Sequence, residues 1–386
     1  MEGIHEGGDA VVSTDEVTLT LSCFQPSVRT CMITVSGTVE RRVIALRHRL
    51  FASQCQRPSA VQEVPLSTLN SPWNTSKSSP DLTTTMATKD PTNTKCSCNR
   101  LAFSLSGAFE HDHFEAFYRK AIQSVTAEDY EKIVAYRYKD DSLACLAGRL
   151  FLRQITKRLT GTPWHEVEFA RTEKGKPYVT NPAGTTFGLN VTHQGDYAAL
   201  ATSCSEKVGV DVMRLDISRN NKTADEYINS MARSASAAEL RQMRGQPTEA
   251  MKMTMFYRFW CLKEAVLKAT GDGLLDDLSR YDFRVDTSDR YAPGCYVTST
   301  TVLADGKLQN QWVFDESFVD RTHSIAVCRE RKLPRTCMFA KDPEAKLFFS
   351  KVNFDFLLDG ATVLNPLPND AADDFDNFQK KLRKNF

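Results

Sequence analysis

The 386-residue chain predicts an α+β fold, and three observations carry that reading. Helical patterns fill residues 114–159, and a meander of three apolar runs follows over residues 187–215. The order then repeats, with helical segments over 223–269 and strand-like runs between 281 and 329. A faint internal likeness links residues 197–202, after a histidine turn, to residues 324–328, after Asp320-Arg321-Thr322-His323. Two α+β halves of similar build would produce this, and so would two apolar runs sharing an alanine.

The elements follow from local pattern. Residues 17–21 and 31–35 read as short strands, and the arginine-rich 39–51 as a short helix. Residues 55–98 are dominated by Ser, Thr, Pro, Asn and Lys without apolar periodicity, so disorder is expected there. Met86, just ahead of the ordered part, is an alternative start. Phe103 to 106 reads as a strand, 114–124 and 127–136 as helices, and 142–159 as a longer helix with Leu143, Leu146, Leu150 and Ile155 near one stripe. Lys174-Gly175-Lys176-Pro177 is a basic turn. Three strands follow at 187–193, 197–202 and 208–215, joined by hairpin-like turns. The helix carrying Trp260 runs over 251–269 and stops at Gly271 and Gly273. Further strands are expected at 281–285, 296–300, 311–316 and 323–329.

Composition narrows the function classes. With 41% hydrophobic and 25% charged residues the chain reads as globular. A net charge of +1 gives no support to wholesale nucleic-acid or membrane binding. No run approaches the ~18 apolar residues a membrane span needs. Acids at positions 2, 6, 9, 15 and 16 precede any arginine, the wrong chemistry for a leader peptide. Eleven scattered cysteines without such a leader point to free thiols in a reducing cytosol. Cys96-Ser97-Cys98 lacks a zinc-like spacing and His111-Asp112-His113 reads as a solvated loop.

The chemistry centres on two carboxylates. In Val208-Gly209-Val210-Asp211-Val212 the valines share one face, while Gly209, Asp211 and Met213 share the other. An acid in so apolar a strand is costly to bury unless it meets a cation or several donors. Gly209 leaves room beside it for a bulky partner. On the Trp260 helix, Phe259, Leu262, Val266 and Ala269 form one stripe, and Glu264 and Lys268, four apart, lie together on the other side. That spacing fits a surface ion pair of ~0.3–0.5 kcal/mol as well as a site. Arg171, Lys174 and Lys176 flank a glycine turn whose amides suit an anion, or stand as exposed cations. His193 alternates with Leu189 and Val191, which fits a satisfied core histidine or a phosphate contact at a strand end.

Four blocks in order resemble the 4′-phosphopantetheinyl transferases of the large, two-half class named for the surfactin-synthetase activator, in its animal type. They are Lys174-Gly175-Lys176-Pro177, Asn190-Val191-Thr192-His193-Gln194-Gly195-Asp196, Gly209-Val210-Asp211-Val212, and Trp260-Cys261-Leu262-Lys263-Glu264-Ala265 with Lys268. The likeness covers about 100–329 and returns weakly at 348–366. It implies two pseudo-symmetric halves, 99–204 and 205–332, with coenzyme A in the cleft between them. An N-terminal extension, 1–98, would precede them, and a tail, 333–386, would pack partly on the domain. It implies transfer of the phosphopantetheine arm of coenzyme A to a carrier-protein serine, with release of adenosine 3′,5′-bisphosphate. By resemblance Asp211 and Glu264 hold magnesium, Glu264 takes the serine proton, and Lys268 meets the pyrophosphate. Lys132, Arg171, Thr172, Glu173, Lys174, Gly175, Lys176, Asn190, Val191, Thr192 and His193 hold the nucleotide.

Two departures stand out. Met213 occupies a position where many relatives carry a third acid, and methionine is a poor ligand for magnesium, so Gln194, phosphate oxygens and waters must complete the shell. Lys132 replaces an arginine of the animal type and loses its bidentate fork. The implied partners are carrier domains of fatty acid synthase, polyketide or peptide synthetase, or aminoadipate-type reductase, met by a monomeric enzyme. The rivals are a metal nuclease, whose acid-x-lysine spacing is absent, and a non-catalytic module that grips carriers.

Overall fold

A computed structural model describes residues 10–14, 17–22, 32–36, 96–217, 219, 221–273 and 277–384. The chain forms two compact units, Met1–Thr84 and Thr85–Phe386. In the first, β1 (Ala10–Thr14), β2 (Val17–Ser22) and β3 (Met32–Ser36) make an antiparallel meander. The second and third are the strands expected at 17–21 and 31–35. The expected helix at 39–51 and the stretch 55–95 of the disorder expected over 55–98 lie outside the described residues. Residues 96–98 are ordered, because Cys98 is buried against Cys337 and Phe339.

The second unit opens with β4 (Asn99–Ser104). The strand therefore starts earlier than expected, and Leu105 already belongs to helix α1 (Leu105–Phe109). Ser104 decides the break: its hydroxyl accepts from the Gly107 N–H and caps the helix. Helices α2 (Phe114–Gln123), α3 (Ala127–Val134) and α4 (Lys139–Thr160) follow. Next come the hairpin β5 (Glu168–Arg171) and β6 (Pro177–Asn181), then the meander β7 (Gly188–Gln194), β8 (Tyr197–Ser203) and β9 (Val208–Arg214). Helices α5 (Ala224–Ser230), α6 (Ala237–Arg244) and α7 (Glu249–Thr270) precede β10 (Tyr281–Arg284), β11 (Thr301–Ala304), β12 (Lys307–Leu308), β13 (Trp312–Phe318) and β14 (His323–Glu330). The tail holds α8 (Met338–Lys341), β15 (Ser350–Val352), α9 (Phe354–Leu357) and α10 (Ala372–Gln379). Residues 296–300 are not a strand; Val297 only bridges to Glu316.

The two halves share a plan. Helices α4 and α7 each span 22 residues and end on a left-handed glycine, Gly161 at φ 78° and Gly271 at φ 77°. One half carries the sheet β15-β4-β8-β7 and the other the antiparallel sheet β13-β14-β9. Their seam is a buried cluster of Ala102, Tyr197, Ala199 and Ala201 with Val208, Val210, Val212, Ile325 and Val327. Each large aliphatic side chain so buried contributes roughly 1.5–3 kcal/mol. Small alanines on β8 oppose valines on β9, so the sheets approach closely. One ion-pair network crosses the same seam: Asp315 on β13 meets Arg100 of β4 at 3.1 Å and Arg329 of β14 at 2.9 Å. The tail packs Phe354, Leu357, Phe375 and Phe378 into the core around α4.

Candidate active site

The site begins with the alternation of β9. Its valines fill the seam, which turns Gly209 and Asp211 toward α7. A Cβ on Gly209 would stand 2.0 Å from the Ala265 carbonyl oxygen and 2.4 Å from the Ala269 nitrogen. Only glycine lets strand and helix backbones meet this closely. The bulky partner expected beside it is thus the helix itself.

That approach decides which charges meet. Lys268 Nζ lies 2.6 Å from Asp211 Oδ1 and donates to Thr192 Oγ1 and the Val210 carbonyl, both at 3.0 Å. Thr192 Oγ1 in turn donates to Asp211 Oδ1 at 3.0 Å. Both contacts to Asp211 fall on one carboxylate oxygen. Asp211 Oδ2 is buried with no hydrogen-bond partner. Burial pushes the Asp211 carboxyl above its usual range, with Lys268 pulling the other way. Glu264 is also raised, by burial first and by the negative charge of Asp211 second. A buried and a half-buried carboxylate that feel each other, with an oxygen left unpartnered, have the all-oxygen chemistry a hard divalent cation takes. Met213 is buried in the core around α7 and brings no oxygen to this set.

Gln194, expected as a further metal ligand, is engaged elsewhere: its side-chain oxygen accepts from the Arg214 N–H at 2.5 Å. Asn190 is likewise a strand-to-strand tie, accepting from the Val210 N–H at 2.9 Å. Of the block 190–193, Thr192 joins the Asp211–Lys268 cluster, Val191 packs beside the core of α4, and His193 is solvent-exposed. The core-histidine reading of His193 is therefore set aside.

The basic turn joins β5 to β6. Gly175 sits at φ +86°, and Thr172 and Lys176 close the turn through the Thr172 N–H to the Lys176 carbonyl at 2.9 Å. Arg171 donates to the Gly175 carbonyl at 2.8 Å, while Glu173 and Lys174 are exposed. Lys176 behaves differently from its neighbours. Its Nζ reaches the Val208 carbonyl at 3.2 Å and the Ala269 carbonyl at 3.1 Å, clipping β9 to the end of α7. Burial pulls its pKa down to about 8. Lys132 pairs with Glu128 on the face of α3. The Glu128 carboxyl is held low by Lys132 and, more weakly, by Arg171 and Arg149. The Arg171 guanidinium is lowered by burial and then by Arg149. Three cations from three elements thus share one locality. Arg149 escaped the sequence reading, because within α4 nothing local sets it apart from other cationic helix residues.

Lys263, beside Glu264 in the motif, is a buried clip. It pairs with Glu239 at 2.9 Å and donates to the carbonyls of Leu278 and Tyr281.

Comparison with known proteins agrees with this geometry. Residues 112–205 match the family described as 4′-phosphopantetheinyl transferase, N-terminal, and residues 207–328 match the 4′-phosphopantetheinyl transferase superfamily. The boundary between the two matches falls between β8 and β9. The chain is 32% identical over 254 residues to the L-aminoadipate-semialdehyde dehydrogenase-phosphopantetheinyl transferase of Mus musculus, covering 64% of this chain and 81% of that one. It is 30% identical over 256 residues to the protein of the same name from Homo sapiens, with the same coverage. A phosphopantetheinyl transferase of Thraustochytrium sp. is 30% identical over 233 residues, covering 59% of this chain and 77% of its own.

Proposed function

The chain belongs to the 4′-phosphopantetheinyl transferase superfamily and is a transferase that moves the phosphopantetheine arm of coenzyme A to a carrier protein; from that premise we propose how its residues divide the work. Asp211 and Glu264 are the residues that hold a magnesium ion. The observation that carries this assignment is the buried, unpartnered Oδ2 of Asp211 next to a second raised carboxyl. When bound, magnesium neutralises charge building on the leaving phosphate.

Glu264 takes the proton of the incoming serine, a role suited to a carboxyl whose pKa is raised toward the working range. Lys268, on the Asp211 side, keeps a positive charge where the pyrophosphate develops negative charge. Thr192 holds Lys268 and Asp211 in register. Lys132, Arg149 and Arg171, beside the Gly175 turn, bind the nucleotide end of coenzyme A. Lys174, Glu173 and Thr172 shape that turn, and Lys176 fixes it to the β9–α7 contact.

Acceptors are carrier domains of aminoadipate-type reductase, fatty acid synthase, or polyketide and peptide synthetases, the first supported by the names of the relatives. The enzyme works as a cytosolic monomer; among the described residues no helix is long and apolar enough to cross a membrane. The test incubates the full chain with coenzyme A, magnesium and an apo carrier, and weighs the carrier. A gain of one phosphopantetheine, abolished by Asp211→Ala and by Glu264→Gln in folded protein, is the expected result. Full transfer by either variant would falsify the assignment of the two carboxylates.

A further inference from the structure

Apart from the Asp211 cluster, four cysteines converge. Cys96 and Cys98 precede β4, Cys204 follows β8, and Cys337 immediately precedes α8 in the tail. The pairing of Asn99 with Thr202 brings the start of one strand to the end of the other, and so Cys98 to Cys204. The tail adds Cys337 across 239 residues of sequence. All four sulfurs lie within 4.8 Å of one another.

The spacing is specific. Cys96 Sγ stands 3.6 Å from Cys204 Sγ and 3.8 Å from Cys337 Sγ; Cys98 Sγ stands 3.8 Å from Cys204 Sγ and 3.6 Å from Cys337 Sγ. A tetrahedral ion with Zn–S bonds of about 2.3 Å has sulfur–sulfur edges of about 3.8 Å. The four are free thiols, and two of them are buried and two half-buried. Backbone donors are aimed at the sulfurs: the Ser97 N–H at Cys204 at 3.1 Å and the Met338 N–H at Cys96 at 3.4 Å.

We propose that Cys96, Cys98, Cys204 and Cys337 form a structural zinc site that fastens the tail to the N-terminal half of the transferase. Thiolate sulfur selects zinc over magnesium, and four protein ligands leave no open position, which is the pattern of a structural site. Two of the four thiols, Cys98 and Cys337, are buried beside Phe339. A divalent cation ionises such thiols outright, and binding releases their protons. Arg100 and Arg329 lie close enough to Cys98 to offset part of the resulting negative charge. The small core beneath, Phe339 with Leu333, Met338, Ala345 and Leu347 around the cysteines, offers little apolar area for holding this segment. A metal clip supplies what the packing lacks. It sits just ahead of β15, which pairs in parallel with β4, so it also fixes the approach of that edge strand.

The site is tested on the full chain, dialysed against magnesium-containing buffer without chelator, by metal analysis. One zinc per chain is expected, retained in Asp211→Ala and lost in Cys204→Ser and in Cys337→Ser. Cobalt exchanged into the same protein is expected to give an intense sulfur-to-metal charge-transfer band, which carboxylates cannot produce. If the cysteine variants do not fold, thiol titration of the native wild-type chain decides: four thiols protected until a strong chelator is added support the site. Four thiols reactive in native protein that holds no zinc, or zinc retained in both cysteine variants, overturns it. None of these readouts uses transfer activity, so failure here and failure of the carboxylate assignment are separately visible.

Discussion

Lys268 reaches past Glu264, its neighbour one turn along the same helix, and pairs with Asp211 of β9 at 2.6 Å. The pairing joins the strand to α7 and leaves the second oxygen of Asp211 for another partner. A helical i,i+4 pair would have been worth a few tenths of a kcal/mol. The cross-element pair instead neutralises the buried acid Asp211 where it would otherwise repel the half-buried Glu264.

Removing that charge shifts the acid limb of catalysis. Lys268 lowers the pKa of both Asp211 and Glu264, against burial. Without it both carboxyls rise further and ionise later as pH increases. Lys268→Met is therefore expected to move the acidic limb of the kcat/KM profile to higher pH and to cut kcat about 10²-fold or more, with a smaller change in coenzyme A affinity. An unshifted limb, or an effect confined to affinity, contradicts the role given to Lys268.

Glu264 trades stability for chemistry. Its raised pKa means the native state disfavours the ionised form relative to the unfolded chain. The penalty is present above the folded pKa and is relieved as pH falls through it. Glu264→Gln is expected to abolish transfer while raising Tm by about 2–4 °C at neutral pH without divalent ions, the equivalent of roughly 1 kcal/mol. A fall in Tm in calorimetry would show that Glu264 is net stabilising.

Gly209 and Gly148 make a matched pair. Gly209→Ala places a methyl group against the backbone of α7, so the helix must move; a loss of about 1–3 kcal/mol in urea denaturation and of most activity is expected. Gly148 lies inside α4, and a methyl group there would meet nothing within 4 Å, so Gly148→Ala is expected to stabilise by about 0.5–1 kcal/mol.

Asp315 bridges two buried arginines, Arg100 and Arg329. Asp315→Ala leaves both without this counter-charge, and a loss of about 3–5 kcal/mol is expected from denaturant unfolding. A loss under about 1 kcal/mol, the range of solvated pairs, would mean water reaches the seam.

Lys176 gives a pH signature of the opposite sign to an ordinary surface lysine. Its folded pKa is lowered by burial to about 8. Between that value and the usual lysine range the unfolded chain holds the proton more tightly, so stability from this residue rises with pH. Wild type compared with Lys176→Met is expected to gain stability from about pH 7.5 to about pH 10, read as the difference in denaturation midpoints.

The alternation of β9 was legible because a strand has a period of two residues: valines at 208, 210 and 212 had to share one face. The end of α7 was legible from Gly271, since glycine is the residue best suited to a left-handed cap. The failures have equally local causes. The strand expected from Phe103 ends at Ser104 because a serine can cap as readily as it can continue. The run at 296–300 has strand composition but only one residue, Val297, finds a bridging partner. What Gln194 and Asn190 meet in the fold was not legible either: each accepts from a backbone N–H of β9, which no spacing along the chain could reveal.

Sequence alone determined the acids, the lysine, the basic turn and the repeated order of helices and strands, because each is written in residue type and short-range period. Tertiary structure alone decided who meets whom: Lys268 with Asp211, Arg149 with Arg171, and Cys96 and Cys98 with Cys204 and Cys337. Those meetings depend on how closely two surfaces approach, set here by a glycine under a helix and alanines facing valines, and distance in space is not encoded by distance along the chain.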